Sequence, residues 1–208
     1  MISTGLPARL ASLYLHDYTE EHLPPLPPTL TELDFGPLID PDEMPFSLNL
    51  RSLSIYASLP LPEWPESASC MVHLTKLELE ACTLTDGLPA LVASLPALEV
   101  ISVRLTDLPC LPEKLACVGS LRRLIVYYGN LARVPAVLGG GAASRLEHLN
   151  LGYNDGLEMD DEGLEVLRSL TALTYLHLRG GIELLANNGA GSEVLHKALT
   201  AGLKESWE

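Results

Sequence analysis

The chain has 208 residues, 47% hydrophobic and 19% charged, with a net charge of −14 from 27 acids and 13 bases. An acidic field of this size repels phosphate backbones and anionic bilayers, which argues against generic nucleic-acid binding and membrane-surface binding. No stretch approaches the roughly 20 apolar residues that span a bilayer, and Met1 to Leu15 lack the basic start and unbroken apolar run of a secretory signal.

Read in chain order, one phrase recurs: an apolar residue, two variable positions, an apolar residue, one variable position and a third apolar residue. It starts at Leu10, Leu30, Leu50, Leu74, Leu98, Leu121, Leu146 and Leu173, at intervals of 20, 20, 24, 24, 23, 25 and 27 residues. In an extended strand the fourth and sixth positions point to one side. Each phrase therefore predicts one short strand, with the first position turning inward as the chain enters it. Phe35, Ile55, Ile101, Val103 and Val126 stand where other units have Leu, and β-branched and aromatic residues suit a strand. One unit buries too few groups to offset its ordering entropy, whereas a stack does so because each unit covers its neighbour.

The segments between phrases change along the chain. Leu23-Pro-Pro-Leu-Pro-Pro-Thr-Leu30 precedes the second phrase, and Leu108-Pro-Cys-Leu-Pro-Glu-Lys-Leu115 precedes the sixth. Gly139-Gly-Gly141 predicts the start of an outer loop. Asp160 to Leu170 predicts a true helix, with acids in its first turn and Leu164, Leu167 and Leu170 on one face. The outer side should thus pass from extended or 3₁₀ to α-helical near residue 165. The domain division expected is an array over 1–182 and, over 183–208, a loop and a capping helix at 192–204 started by Ser192. No cap is visible before Leu6-Pro-Ala-Arg-Leu10, which reads as the tail of a preceding unit.

The phrase resembles the leucine-rich-repeat family, whose pattern continues with Asn or Cys at the ninth position and then another apolar residue. The fullest unit is Leu74, Leu77, Leu79, Cys82 and Leu84. Cys82 and Asn154 match the ninth position and Thr106 substitutes for it, whereas Tyr18, Leu38, Ser58, Gly129 and Gly181 depart from it, with Asn130 one place late. The resemblance implies an α/β solenoid, a curved horseshoe with a parallel concave sheet of about eight strands and a mixed outer side. It also implies that the third, fifth, seventh and eighth positions of each phrase face the concave side. The proline-rich second unit is similar to the short repeats of secreted bacterial effectors, which often carry a ubiquitin-ligase domain after the array. The later units resemble plant and intracellular subtypes.

Six of the seven tyrosines, Tyr14, Tyr56, Tyr127, Tyr128, Tyr153 and Tyr175, fall on those inner positions. Tyrosine gives a large rigid contact at low entropy cost, and with Arg it dominates binding hot spots. Glu32, Asp34, Glu78 and Glu80 make the first half of the inner face acidic. Arg104, Arg123 and Arg179, with His148 and His177, make the second half basic and aromatic. The expected partner is a protein that sets an acidic patch on Arg104 and Arg123, taken as cross-strand neighbours. The bland alternative is a solvated sheet with internal ion pairs. His148 and His177 lack a third ligand in register, so no zinc site is expected, and the Pro-x-x-Pro stretch serves the outer return. No Gly-x-Gly-x-x-Gly, Walker, Gly-x-Ser-x-Gly or His-Glu-x-x-His motif is present. The reading is therefore a non-enzymatic, cofactor-free protein-recognition module. A structural adaptor or a fragment of a longer leucine-rich-repeat protein associated with cytoskeleton or cilium, or an effector-type recruiter, is the alternative. Cys70, Cys82, Cys110 and Cys117 form no Cys-x-x-Cys pair, which favours the cytoplasm, with a Cys110–Cys117 bridge left open.

Overall fold

The structure is a computed structural model, described here for residues 6–16, 25–36, 48–56, 66–84, 88, 92, 95–140, 145–158, 160–178 and 183–185. Each phrase forms a strand two residues after its first apolar residue. The strands are β1 (Ser12–Leu15), β2 (Glu32–Phe35), β3 (Ser52–Tyr56), β4 (Lys76–Glu80), β5 (Val100–Arg104), β6 (Arg123–Tyr127), β7 (His148–Asn150) and β8 (Tyr175–His177). They lie in one sheet in sequence order, all parallel. Parallel neighbours need a crossover of a dozen residues or more, and the 20-to-27-residue repeat supplies one each time.

The register matches phrase position to phrase position. Leu77 pairs with Ile101, Ile101 with Leu124, Leu124 with Leu149 and Leu149 with Leu176. The fourth- and sixth-position side chains therefore stack behind the sheet as one core, and Leu77, Leu124 and Leu176 are each 0% exposed. A buried Leu contributes roughly 1.5–3 kcal/mol relative to exposure, so the stack holds the array together. Threonines at the second position bind the second, fourth and eighth rungs to the one before. The hydroxyls of Thr31, Thr75 and Thr174 donate to the carbonyls of Ala11, Arg51 and Glu147.

Among the described residues the outer side passes from 3₁₀ turns to a helix near residue 165, while most of the early returns expected to be extended lie outside the described residues. The described outer segments include 3₁₀ turns at Glu66–Cys70, Glu113–Cys117 and Ala136–Gly139, followed by the helix α1 at Asp161–Ser169. Asp160 caps α1 by accepting from the Gly163 N–H at 2.8 Å, and Leu164, Leu167 and Leu170 are buried. One element departs from expectation. Glu183–Leu185, read from sequence as loop, forms β9, which pairs antiparallel with β8 and makes the sheet nine-stranded. The capping helix expected at 192–204 lies outside the described residues. Cys110 is a free thiol, so it carries no bridge to Cys117.

The turn beyond the strands is a ladder. Asn154 is fully buried. Its amide donates to the carbonyls of Val126 (2.9 Å), Leu151 (2.8 Å) and Gly152 (3.4 Å) and accepts from the Leu131 N–H (3.2 Å). Two of those partners belong to the preceding rung. That rung has Gly129 at its ninth position, where a Cβ would come within 2.8 Å of the Asn154 amide oxygen. The departure at Gly129 is thereby explained, because the neighbour's Asn fills the place. Asn130, read from sequence as a late substitute, is instead exposed. Thr106 does act as a ninth-position residue, donating to the Arg104 carbonyl and accepting from the Cys82 N–H. Cys82 is buried and directs its thiol to the Ile55 and Glu80 carbonyls.

Candidate recognition face

The eighth position of four successive rungs, Ala81, Leu105, Tyr128 and Tyr153, has φ between 50° and 55°. This left-handed conformation costs a non-glycine residue roughly 1–2 kcal/mol. It turns the N–H groups of Ala81, Leu105 and Tyr128 onto the carbonyls of Arg104, Tyr127 and Gly152 in the next rung. It also leaves Leu105, Tyr128 and Tyr153 at 54%, 47% and 39% exposure, a row of large apolar side chains in water.

Tyr127, Tyr128, Tyr153 and His177 form one aromatic cluster. The Tyr127 ring lies 4.9 Å from both Tyr128 and Tyr153, and Tyr128 lies 4.5 Å from Tyr153. His177 sits 6.3 Å from Tyr127 and from Tyr153. Its ring lies over Gly152, where a Cβ would meet the imidazole at 2.6 Å, so the missing side chain makes the seat. Desolvation raises the Tyr127 phenol, Tyr153 and Tyr128 raise it further, and the Arg104 charge opposes them. Arg104 is the Cα partner of Tyr127, and its Nε donates to Ser102 Oγ at 3.2 Å.

A second aromatic pair lies at the start of the same strands. His148 stacks on Tyr175 at 4.0 Å with an interplanar angle of 4°. Burial, with Arg123 beside it as the second cause, lowers the His148 imidazole to about 4. It is neutral at physiological pH.

The register corrects one expectation. Arg104 pairs with Tyr127 and Arg123 with Val100, because one stands at the seventh phrase position and the other at the third. Four residues of strand separate their positions, roughly 13 Å at 3.3 Å per residue. They do not make a two-point seat for an acidic patch. His148 and His177 are likewise two places out of register, with His148 opposite Tyr175 and Asn150 opposite His177. Tyr56 and Tyr14 lie apart from the cluster, and Arg179 lies outside the described residues.

Tyr56 lines a concave groove of about 390 Å³ together with Asp34, Ser54, Glu78, Glu80 and Arg104. The acidic residues of this groove were legible as a charged half-face but not as a cavity. Tyr14 lines a neighbouring hollow of about 380 Å³ with Glu32, Asp34 and Lys76. Sequence reasoning missed an outer groove of about 390 Å³ between Pro109–Glu113 and Leu131–Val137, whose lining includes an Arg133–Asp160 ion pair at 3.4 Å.

Comparison by sequence finds no match among protein-family models or curated proteins. Comparison by structure does. A Leptospira interrogans LRR protein superposes with a TM-score of 0.67 at 21% identity, over 83% of this chain and 43% of that one. This chain is a leucine-rich-repeat solenoid. The Arabidopsis receptor kinase HAESA, solved with the peptide hormone IDA and the co-receptor SERK1, matches with a TM-score of 0.57 at 22% identity, over 82% of this chain and 30% of that one. The solenoid thus spans less than half the length of either. Among its described residues no helix is long and apolar enough to cross a membrane.

Proposed function

We propose that this solenoid is a non-enzymatic protein-recognition module that receives an extended partner segment on the C-terminal half of its concave face. The observation that carries the reading is the cluster of Tyr127, Tyr128, Tyr153 and His177, with Tyr128 and Tyr153 exposed at strained positions. Exposed aromatic groups on a rigid sheet make hot spots. HAESA carries a peptide hormone in its complex, and a peptide-like segment is the ligand assigned here. Arg104 borders the cluster and Tyr175 with His148 extends it. Arg123 lies on the same face, four residues down the strand from Tyr127. The cytoplasm is the proposed location.

The test is a random-peptide display library panned over the wild-type chain and over a Tyr128→Ala/Tyr153→Ala variant. Peptides that bind the wild type about tenfold or more tighter than the variant, with unchanged circular dichroism, support the reading. Equal binding to both contradicts it.

One observation favours a second reading, a structural adaptor that stacks through its first rung. Leu10, Leu13 and Leu15 are only partly buried, whereas the equivalent residues of the second rung, Leu30, Leu33 and Phe35, are 0%, 4% and 3% exposed. Concentration-dependent growth in light scattering, abolished by Leu13→Glu, supports the adaptor; a monomer at all concentrations removes it.

A further inference from the structure

We infer that the segment received by this face is basic. It sets a lysine or arginine in the groove of Asp34, Glu78 and Glu80 and, three or four residues away, a large apolar side chain on Tyr127, Tyr128 and Tyr153. The inference rests on the concave-face reading above and names the partner's chemistry.

The seventh phrase positions form one line across the sheet. Tyr56 pairs with Glu80, Glu80 with Arg104, and Arg104 with Tyr127. Neighbouring strands are about 4.8 Å apart, so the aromatic cluster begins about 10 Å from Glu80 and reaches Tyr153 one strand later, at about 14 Å. An extended segment rises about 3.3 Å per residue, which converts those distances into three to four residues.

The charges along this line favour a cation. Three carboxylates line the groove against one guanidinium, Arg104, which borders the cluster. Asp34 has His16 at 3.4 Å, a cation only when the imidazole is protonated, and Glu78 has Lys76 at 2.8 Å, outside the groove. Glu80 is exposed and has no ion pair among the described residues. Tyr56, 42% exposed, lines the same groove, so a basic side chain can lay its stem on a ring while its head meets carboxylates. An acidic segment would meet Arg104 alone at the cluster, because Arg123 stands four residues down the strand. It would also approach a chain of net charge −14, and like-charge approach slows and weakens association.

The peptides selected above are sequenced, synthesised and titrated by fluorescence anisotropy against the wild type, Glu78→Gln/Glu80→Gln and Tyr128→Ala/Tyr153→Ala. The inference expects Lys or Arg three or four positions from an aromatic or large aliphatic residue. It expects about tenfold weaker binding to the glutamine variant. Raising salt from roughly 50 to roughly 500 mM should weaken wild-type binding by a similar factor, which needs no variant to fold. Peptides that lose affinity for the tyrosine variant but are indifferent to the glutamine variant and to salt overturn the basic segment and leave the recognition reading standing. Peptides indifferent to the tyrosine variant, or a library that yields no binder, overturn both.

Discussion

At the residue scale, a single buried amide shows how the repeat corrects its own irregularities. Asn154 serves its own turn and that of the rung before it, whose ninth position is glycine. Asn154→Ala would leave the Leu131 N–H and the Val126 and Leu151 carbonyls buried without this partner. Each such loss costs about 1–3 kcal/mol, and a destabilisation of about 3 kcal/mol in urea unfolding is expected. A change below about 0.5 kcal/mol would contradict the bridging role. His148 gives a pH-dependent counterpart. Its folded value, lowered to about 4 from 6.5 by burial and then by Arg123, means that the unfolded chain binds the proton more readily. Its stabilising contribution is complete above about 6.5 and falls away as pH drops toward 4. His148→Gln should flatten the decline of melting temperature across that window. A variant that melts in parallel with the wild type from pH 7 to pH 4 would dismiss the effect. Cys82, Thr106 and Asn154 were legible because their side chains follow the repeat's own spacing. The separation of Arg104 from Arg123 was missed because neighbouring strands were equated with neighbouring residues. Side chains four phrase positions apart, as these two are, do not meet across a parallel sheet.

At the element scale, the strands were the most legible parts, since alternation and register both follow from the phrase. The described outer segments were legible by composition: Pro112 and Pro135 lead into the 3₁₀ turns at Glu113–Cys117 and Ala136–Gly139, and Asp160 begins the one α-helix among the described residues. Asp160→Ala removes the acceptor for the Gly163 N–H and the partner of Arg133. Losing such a cap costs about 1 kcal/mol, and the solvent-exposed ion pair adds little. A melting temperature lowered by a few degrees, with the sheet's spectral signature intact, is the expected result; no change would deny the cap. β9 was missed because its signal is short. Gly180-Gly181 followed by Ile182-Glu-Leu-Leu185 is a hairpin pattern, but three residues of strand have no periodicity to read. Its antiparallel pairing covers the edge of β8 that would otherwise present unpaired backbone groups.

At the scale of the whole molecule, the aliphatic stack and the concave face have separate duties. The core residues repeat with little variation, and the face in front of them changes from acidic groove to aromatic cluster between β4 and β8. The fold follows from the invariant positions. The face lies on the variable ones, where sequence shows residue type and position but not which rings touch or where a groove opens. The most direct measurement is hydrogen–deuterium exchange of the chain with and without a saturating selected peptide. Slowed exchange is expected at 103–107, 126–130 and 151–155, the turns that carry Leu105, Tyr128 and Tyr153, with the outer segment 133–137 unchanged. Slowing confined to 109–113 and 133–137, along the outer groove, would contradict recognition by the concave face.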